Sequence, residues 1–233
     1  MLIGGIHTLT LLDFPDRVAC LIFTAGCNMR CGYCHNPDMV LPELIRCRQD
    51  FIPTEKIFNF LRTRQGFLEG VVISGGEPTI HPGLLDFMRE VKSLGFQIKL
   101  DTNGTNPEVL KTALAENLLD YIAMDIKASP TRYDDLTGVK NNFEHITQSR
   151  DLIMNSGIEY EFRTTFIKGY HKPKDIADIG EFCRGARKYS LQNFRPAKTL
   201  DPDFGRYRGF SSGEMKEIEQ RLAGVVGKVV VNF

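Results

Sequence analysis

Short apolar runs alternate with longer amphipathic stretches along this chain. Residues 18–23 (VACLIF) form a continuous apolar run of the length of a buried strand. A helix is expected over residues 54–65, where Ile57, Phe58, Phe60 and Leu61 supply an apolar face. VVIS (71–74) reads as a second buried strand and ends in Gly75-Gly76. Leu84, Leu85, Phe87, Met88, Val91 and Leu94 then recur at helical spacing, and Gly95 stands where a C-terminal cap belongs.

The cycle repeats. FQIKL (96–100) is a strand, and Asn106-Pro107 marks an N-cap followed by proline at the first helical position. YIAMDI (121–126) is the fourth strand, and residues 143–155 the next helix, stopped by Gly157. A fifth strand is expected over 158–167, a helix over 175–184 and a sixth strand over 190–195. A last helix over 211–222 precedes a short terminal strand at 228–231. Buried strands alternating with helices predict βαβ units on a parallel sheet. Six units fall short of a closed eightfold barrel, leaving an open, partial (β/α)6 TIM-like barrel or a doubly wound sheet. No low-complexity linker interrupts residues 1–233, so a single α/β domain is expected. Either architecture puts the site at the C-terminal ends of the strands. Residues 24–37, Gly75–Gly76–Glu77–Pro78, the DTNG run from Asp101, Asp125 with Lys127, and His171 fall at or just past such ends, and Arg163 lies on the fifth strand itself.

Composition adds mainly exclusions. The 233 residues carry 29 basic and 29 acidic side chains, so no bulk charge points to nucleic acid. No apolar run approaches the roughly 18 residues that span a bilayer. The N-terminal sequence lacks a basic n-region and a small-residue cleavage site, so a cytoplasmic protein with reduced thiols is expected.

Three of the six cysteines crowd into TAGCNMRCGYCHNP (24–37), spaced Cys27-x3-Cys31-x2-Cys34. Soft thiolates bind zinc, copper(I) or iron–sulfur clusters. Structural zinc asks for four ligands, usually as two separated pairs. His35 adjoins Cys34 in an awkward chelate geometry, Cys20 lies in an apolar strand, and Cys47 is distant in sequence. A [4Fe–4S] cube on three cysteines leaves one iron free for a small molecule. Cys20, Cys47 and Cys183 read as small apolar residues.

With Tyr33 before the last cysteine, this loop resembles that of the radical S-adenosylmethionine superfamily. GCNMRCGYCHNP is similar to the activases of glycyl radical enzymes, whose cluster motif is commonly followed by His-Asn-Pro. The chain length, HTLTLLDFPDRVACLIFTAGCN and the late FRP segment resemble activating proteins of anaerobic ribonucleotide reductase. The resemblance implies a [4Fe–4S] cluster on Cys27, Cys31 and Cys34. Its open iron would chelate S-adenosylmethionine and cleave it reductively to a 5′-deoxyadenosyl radical. That radical would take a hydrogen atom from a glycine of the partner enzyme, with flavodoxin or ferredoxin as electron donor.

The same resemblance implies the cofactor contacts. Gly75, Gly76 and Glu77 would bind the methionine ammonium, with the glycines allowing close backbone approach. Asp101, Thr102, Asn103, Asp125 and Lys127 would lie near ribose and carboxylate, and Asp101, Thr102 and Asp125 would hold a monovalent cation. Arg163 and His171 would reach the methionine or ribose end. Tyr33 would give backbone contacts to adenine while its ring covers the cluster. His35-Asn36-Pro37 would buttress the cluster loop, and His7, Asp13 and Asp16 would receive the partner's glycine loop. The alternatives are a radical enzyme acting on a small molecule, such as a deazaguanine-forming ring contraction, and a non-catalytic iron–sulfur electron carrier.

Overall fold

The computed structural model describes residues 1–140 and 143–232. The chain opens with β1 (Ile3–Thr10), β2 (Ala19–Thr24), a short α1 (Pro42–Cys47) and α2 (Thr54–Arg62). Then come β3 (Gly70–Gly75), α3 (Leu84–Ser93), β4 (Gln97–Thr102), α4 (Pro107–Ala115), β5 (Tyr121–Asp125) and the single-turn α5 (Tyr133–Thr137). The remainder is α6 (Phe143–Met154), β6 (Glu159–Phe166), α7 (Pro173–Phe182), β7 (Lys188–Asn193), α8 (Ser212–Leu222) and β8 (Lys228–Asn232).

All eight strands form one sheet in the order β1 to β8, and β2 to β8 run parallel. A doubly wound sheet reverses its strand order at a switch point. Strictly sequential order instead winds the chain one way, as in a barrel left open between its first and last strands. The partial TIM-like barrel is therefore the fold, and the doubly wound alternative falls. The expected strands and main helices are present with small shifts at their ends.

β1 was not expected. It pairs antiparallel with β2, with Ile6 opposite Ile22 and His7 opposite Leu21, and it blunts the edge that β2 would otherwise expose. Asn106 makes no capping hydrogen bond on α4; its Nδ2 donates instead to the Thr79 carbonyl at 2.9 Å. Ser211 and Glu214 do form a reciprocal capping box at the start of α8.

Alternation along the strands sorts side chains into two sets. Ile73, Ile98, Leu100, Ile122, Met124 and Phe162, all fully buried, pack outward under the helices. Ala19, Leu21, Val72, Tyr121 and Ala123 make a smaller apolar floor inside the barrel, closed by Phe14. Above that floor the interior turns polar, with Ser74, Asp101, Asp125, Arg163 and Thr165 around a cavity. Among the described residues no helix is long and apolar enough to cross a membrane.

Candidate active site

The cavity opens at the C-terminal ends of the parallel strands. Cys27, Cys31, Cys34, Tyr33, Gly75, Gly76, Glu77, Asp101, Thr102, Asn103, Asp125, Lys127 and Arg163 all line it, brought together from five strand ends. His35 and Asn36 are also in its wall, and the His35 ring stacks on Phe194 with centroids 5.6 Å apart. Ser74, Thr165, Met29 and Val40 belong to the lining too and were missed. Inward alternation could have found the first two, since Ser74 is two residues beyond Val72 and Thr165 two beyond Arg163.

The cysteine loop is held from two sides and braced from within. Arg30 donates through its amide to the Thr137 carbonyl at 2.7 Å and through its guanidinium to the Cys27 carbonyl at 2.7 Å. Leu200 and Asp201 donate their amides to the carbonyls of Cys34 and Gly32, each at 2.9 Å, strapping a distant segment across the loop. Phe204 on that strap packs against Gly32 so closely that a Cβ there would collide with the ring. Burial pushes the Cys27 thiol up to about 11 and the Cys31 thiol up to about 12, although the Lys127 ammonium works the other way on both. Without a metal the Cys27 and Cys31 sulfurs stay protonated, and loading must release their protons. Among the described residues no three His, Cys, Asp or Glu side chains meet at one ion-sized point, and the sulfurs of Cys27, Cys31 and Cys34 share the cavity wall. As soft donors in a common cavity with polar groups opposite, they suit an iron–sulfur body with room for a ligand beside it.

Gly75 and Gly76 have a reason other than close approach of a ligand. Gly75 sits at φ 113°, and a Cβ on Gly76 would fall 2.0 Å from the Gly26 carbonyl oxygen. The two glycines let the end of β3 lie directly on the cysteine loop, where Gly26 accepts the Glu77 amide at 2.8 Å.

Glu77 is fully buried. One carboxylate oxygen accepts from the Thr79 amide, the Thr79 hydroxyl and the Thr102 hydroxyl at 3.1, 2.6 and 2.7 Å. The other accepts the Asn103 amide at 2.6 Å. Burial raises its carboxyl above the ordinary range, although these hydrogen bonds counter it. Asn103 continues the knot: its Nδ2 donates to Asn28 Oδ1 at 2.9 Å, and its Oδ1 accepts from the Thr105 hydroxyl at 2.7 Å. Glu77 and Asn103 thereby tie the ends of β3 and β4 to the cysteine loop.

The inner wall is a ladder of alternating charge. Lys99 pairs with Asp101, Asp101 with Arg163, Arg163 with Asp125 and Asp125 with Lys127. Burial works to raise the Asp101 and Asp125 carboxyls, but Arg163 with Lys99 or Lys127 outweighs it and holds both below the usual carboxylate range. Arg163, expected at the methionine or ribose end, lines the cavity with its guanidinium on two aspartates.

Three expectations need correction. Thr102 faces away from Asp101, with its hydroxyl on Glu77, because neighbours on a strand point to opposite faces. Asp101, Thr102 and Asp125 therefore do not converge as a cation site through their side chains. Asp13 and Asp16 lie in the β1–β2 connection, at the barrel end opposite the cavity, while His7 packs edge-on against Phe23 at 4.9 Å. None of the three lines the cavity.

His171, finally, is 4% exposed and lies outside the cavity lining. Its Nδ1 accepts the Ile167 amide at 2.9 Å, and its ring packs on Phe166 and Tyr170. Burial lowers its pKa from 6.5 to about 4. Between those values the unfolded chain binds more protons, so His171 adds stability above pH 6.5 that is lost as the pH falls. The loss reaches roughly 3 kcal/mol at the acid end. Acid unfolding of the metal-free protein should therefore be steeper than in His171→Asn, whose side-chain oxygen can still accept the Ile167 amide. Equal slopes by circular dichroism would show that this histidine does not titrate on unfolding.

The model of the radical SAM superfamily matches residues 21–183, which span every cavity residue named above. The chain belongs to the radical SAM superfamily. Radical SAM enzymes use a [4Fe–4S] cluster and S-adenosylmethionine, and these are the cofactors of this chain. It is 32% identical over 235 residues to a Methanocaldococcus jannaschii protein provisionally named a glycyl-radical enzyme activating enzyme, covering 99% of this chain and 95% of the relative. A pyruvate formate-lyase-activating enzyme of Clostridium pasteurianum is 27% identical over 213 residues, with 86% and 84% of the two chains covered. Among solved radical SAM folds, Streptococcus suis SuiB bound to its precursor peptide SuiA superposes with a TM-score of 0.68 at 13% identity. The match covers 91% of this chain and 48% of SuiB, so the chain spans about half of that protein and shares its fold.

Proposed function

We propose that this radical SAM enzyme is an activase that installs a glycyl radical on a partner enzyme, with an anaerobic ribonucleotide reductase as the partner. The observation that carries the reading is the similarity to the M. jannaschii protein along nearly the whole of both chains. The His-Asn-Pro run after Cys34, whose first two residues line the cavity, supports it. A single domain over 1–233 and a cytoplasmic setting accompany this reading, as does reduction by flavodoxin or ferredoxin.

Cys27, Cys31 and Cys34 would hold the cluster, leaving one iron for the amino and carboxylate groups of S-adenosylmethionine. Bound there, the two cofactors supply reductive cleavage of the sulfonium to methionine and a 5′-deoxyadenosyl radical, which takes a hydrogen atom from the substrate glycine. The protein's part is placement and exclusion. The Lys127 ammonium, fixed by Asp125 at 2.9 Å beside the thiols, offers positive charge to a ligand carboxylate. Gly75, Gly76 and Asn103 present backbone and amide groups to the same cavity, next to the cysteine loop. Tyr33, buried and packed near Phe204, closes the cysteine loop against water.

Anaerobic reconstitution with iron and sulfide, reduction and addition of S-adenosylmethionine should release 5′-deoxyadenosine. Mixing with candidate glycyl radical enzymes should then give the glycyl doublet by electron paramagnetic resonance. No doublet with any candidate, alongside turnover of a small molecule, would overturn the activase reading.

A further inference from the structure

Asp101 and Asp125 end neighbouring strands and face one cavity. Two ionised carboxylates so placed and so little exposed need positive charge between them. The resemblance led to an expectation of a monovalent cation, and the donor set does not fit one. Asp101 Oδ1 receives Lys99 Nζ, while Oδ2 receives Ser74 Oγ at 3.1 Å and Arg163 Nη1 at 3.2 Å. Asp125 Oδ1 receives Arg163 Nε at 2.7 Å, and Oδ2 receives Lys127 Nζ at 2.9 Å. Every oxygen of both carboxylates thus carries a donor from the protein, and the Arg163 side chain is only 15% exposed. Three cations already face two carboxylates. A further ion would have to displace an ammonium or the guanidinium, and its third expected ligand, the Thr102 side chain, is turned away to Glu77.

We propose that the Arg163 guanidinium is a built-in substitute for a monovalent cation, a positioning residue that bridges Asp101 to Asp125 and makes the protein independent of potassium and sodium. A planar fork suits the task, because one side chain can address two carboxylates in fixed directions where a bare ion would have to be captured. With both aspartates held, Lys127 stays directed at the cysteine loop. The proposal rests on the radical SAM reading only for its effect on S-adenosylmethionine. The bridge itself can be tested without cofactor.

Thermal unfolding of the metal-free protein should coincide in potassium, sodium and choline chloride at one ionic strength. Arg163→Gln removes the charge, so its melting temperature should become lower in choline and rise saturably with potassium or sodium. Arg163→Lys keeps a charge and should respond to the three salts as the parent does. In the reconstituted enzyme, Arg163→Gln should lose about tenfold to a hundredfold of S-adenosylmethionine cleavage in choline and regain part of it in potassium.

A saturable gain by the parent in potassium or sodium over choline overturns the proposal. So does Arg163→Gln responding to the salts as the parent does, or failing to fold in all of them. Recovery of folding on adding either cation supports it. If the parent releases no 5′-deoxyadenosine in any salt, the proposed activity fails while the melting comparison still stands.

Discussion

Cys31→Ala protein, loaded anaerobically with iron and sulfide, is expected to hold no [4Fe–4S] cluster and to release 5′-deoxyadenosine only at background. Cys183→Ala should do both as the parent does. Both sulfurs are buried, and burial raises both thiols, so neither exposure nor acidity separates them. Their positions do. Cys31 lines the cavity with Cys27 and Cys34, whereas Cys183 follows α7 in the outer core, packed under the helices. Losing the Cys183 sulfur should cost about 1 kcal/mol for the small void it leaves, and nothing at the site. Iron and sulfide content with chromatography of the nucleoside products decides the matter. A Cys31→Ala protein with a full cluster and normal turnover would remove Cys31 from the ligand set.

Glu77→Ala should be among the most destabilising single changes at the cavity. It strips the acceptor from the backbone amides of Thr79 and Asn103 and from two threonine hydroxyls. The hydroxyls can turn elsewhere, but the buried amides cannot. A loss of about 3 kcal/mol follows from leaving such donors without a partner. For a chain of this size that lowers the melting temperature by roughly 6–12 °C. Glu77→Gln keeps one acceptor oxygen and should lose about half as much, because its amide hydrogens meet the remaining donors. Melting curves of the metal-free proteins measure the knot alone. The dissociation constant of S-adenosylmethionine from reconstituted Glu77→Gln then tells whether the carboxylate also serves the ligand. A Glu77→Ala protein as stable as the parent would mean that the knot carries no weight.

The parallel strands were legible because strands buried on both faces must be nearly continuous in apolar residues, as VVIS and YIAMDI are. β1 was not, for a related reason. IGGIHTLT carries two glycines, and its later residues are exposed, so its pattern weakens where the edge meets solvent. The cluster loop, the end of β3 and the aspartates were legible because chemistry collects at strand ends in this architecture. Finer geometry was not. Asp101 and Thr102 adjoin in sequence, and it takes the strand to turn them to opposite faces. His171, in Gly-Tyr-His-Lys past a strand end, reads through the resemblance as a cofactor contact, yet the loop folds back and sinks it beneath Tyr170. The role of Gly76 lay in a contact with Gly26, fifty residues earlier, which no local pattern carries.

The strap that crosses the cysteine loop sets an order of events in time. Residues 24–37 leave the ribosome early, and their cover, from Leu200 to Phe204, follows only after nearly all the barrel has been made. At the usual pace of synthesis, the thiols wait on the order of ten to thirty seconds with that side open. Cluster delivery during translation therefore meets an accessible loop. Delivery to the finished chain must work through the cavity mouth or wait for the strap to lift.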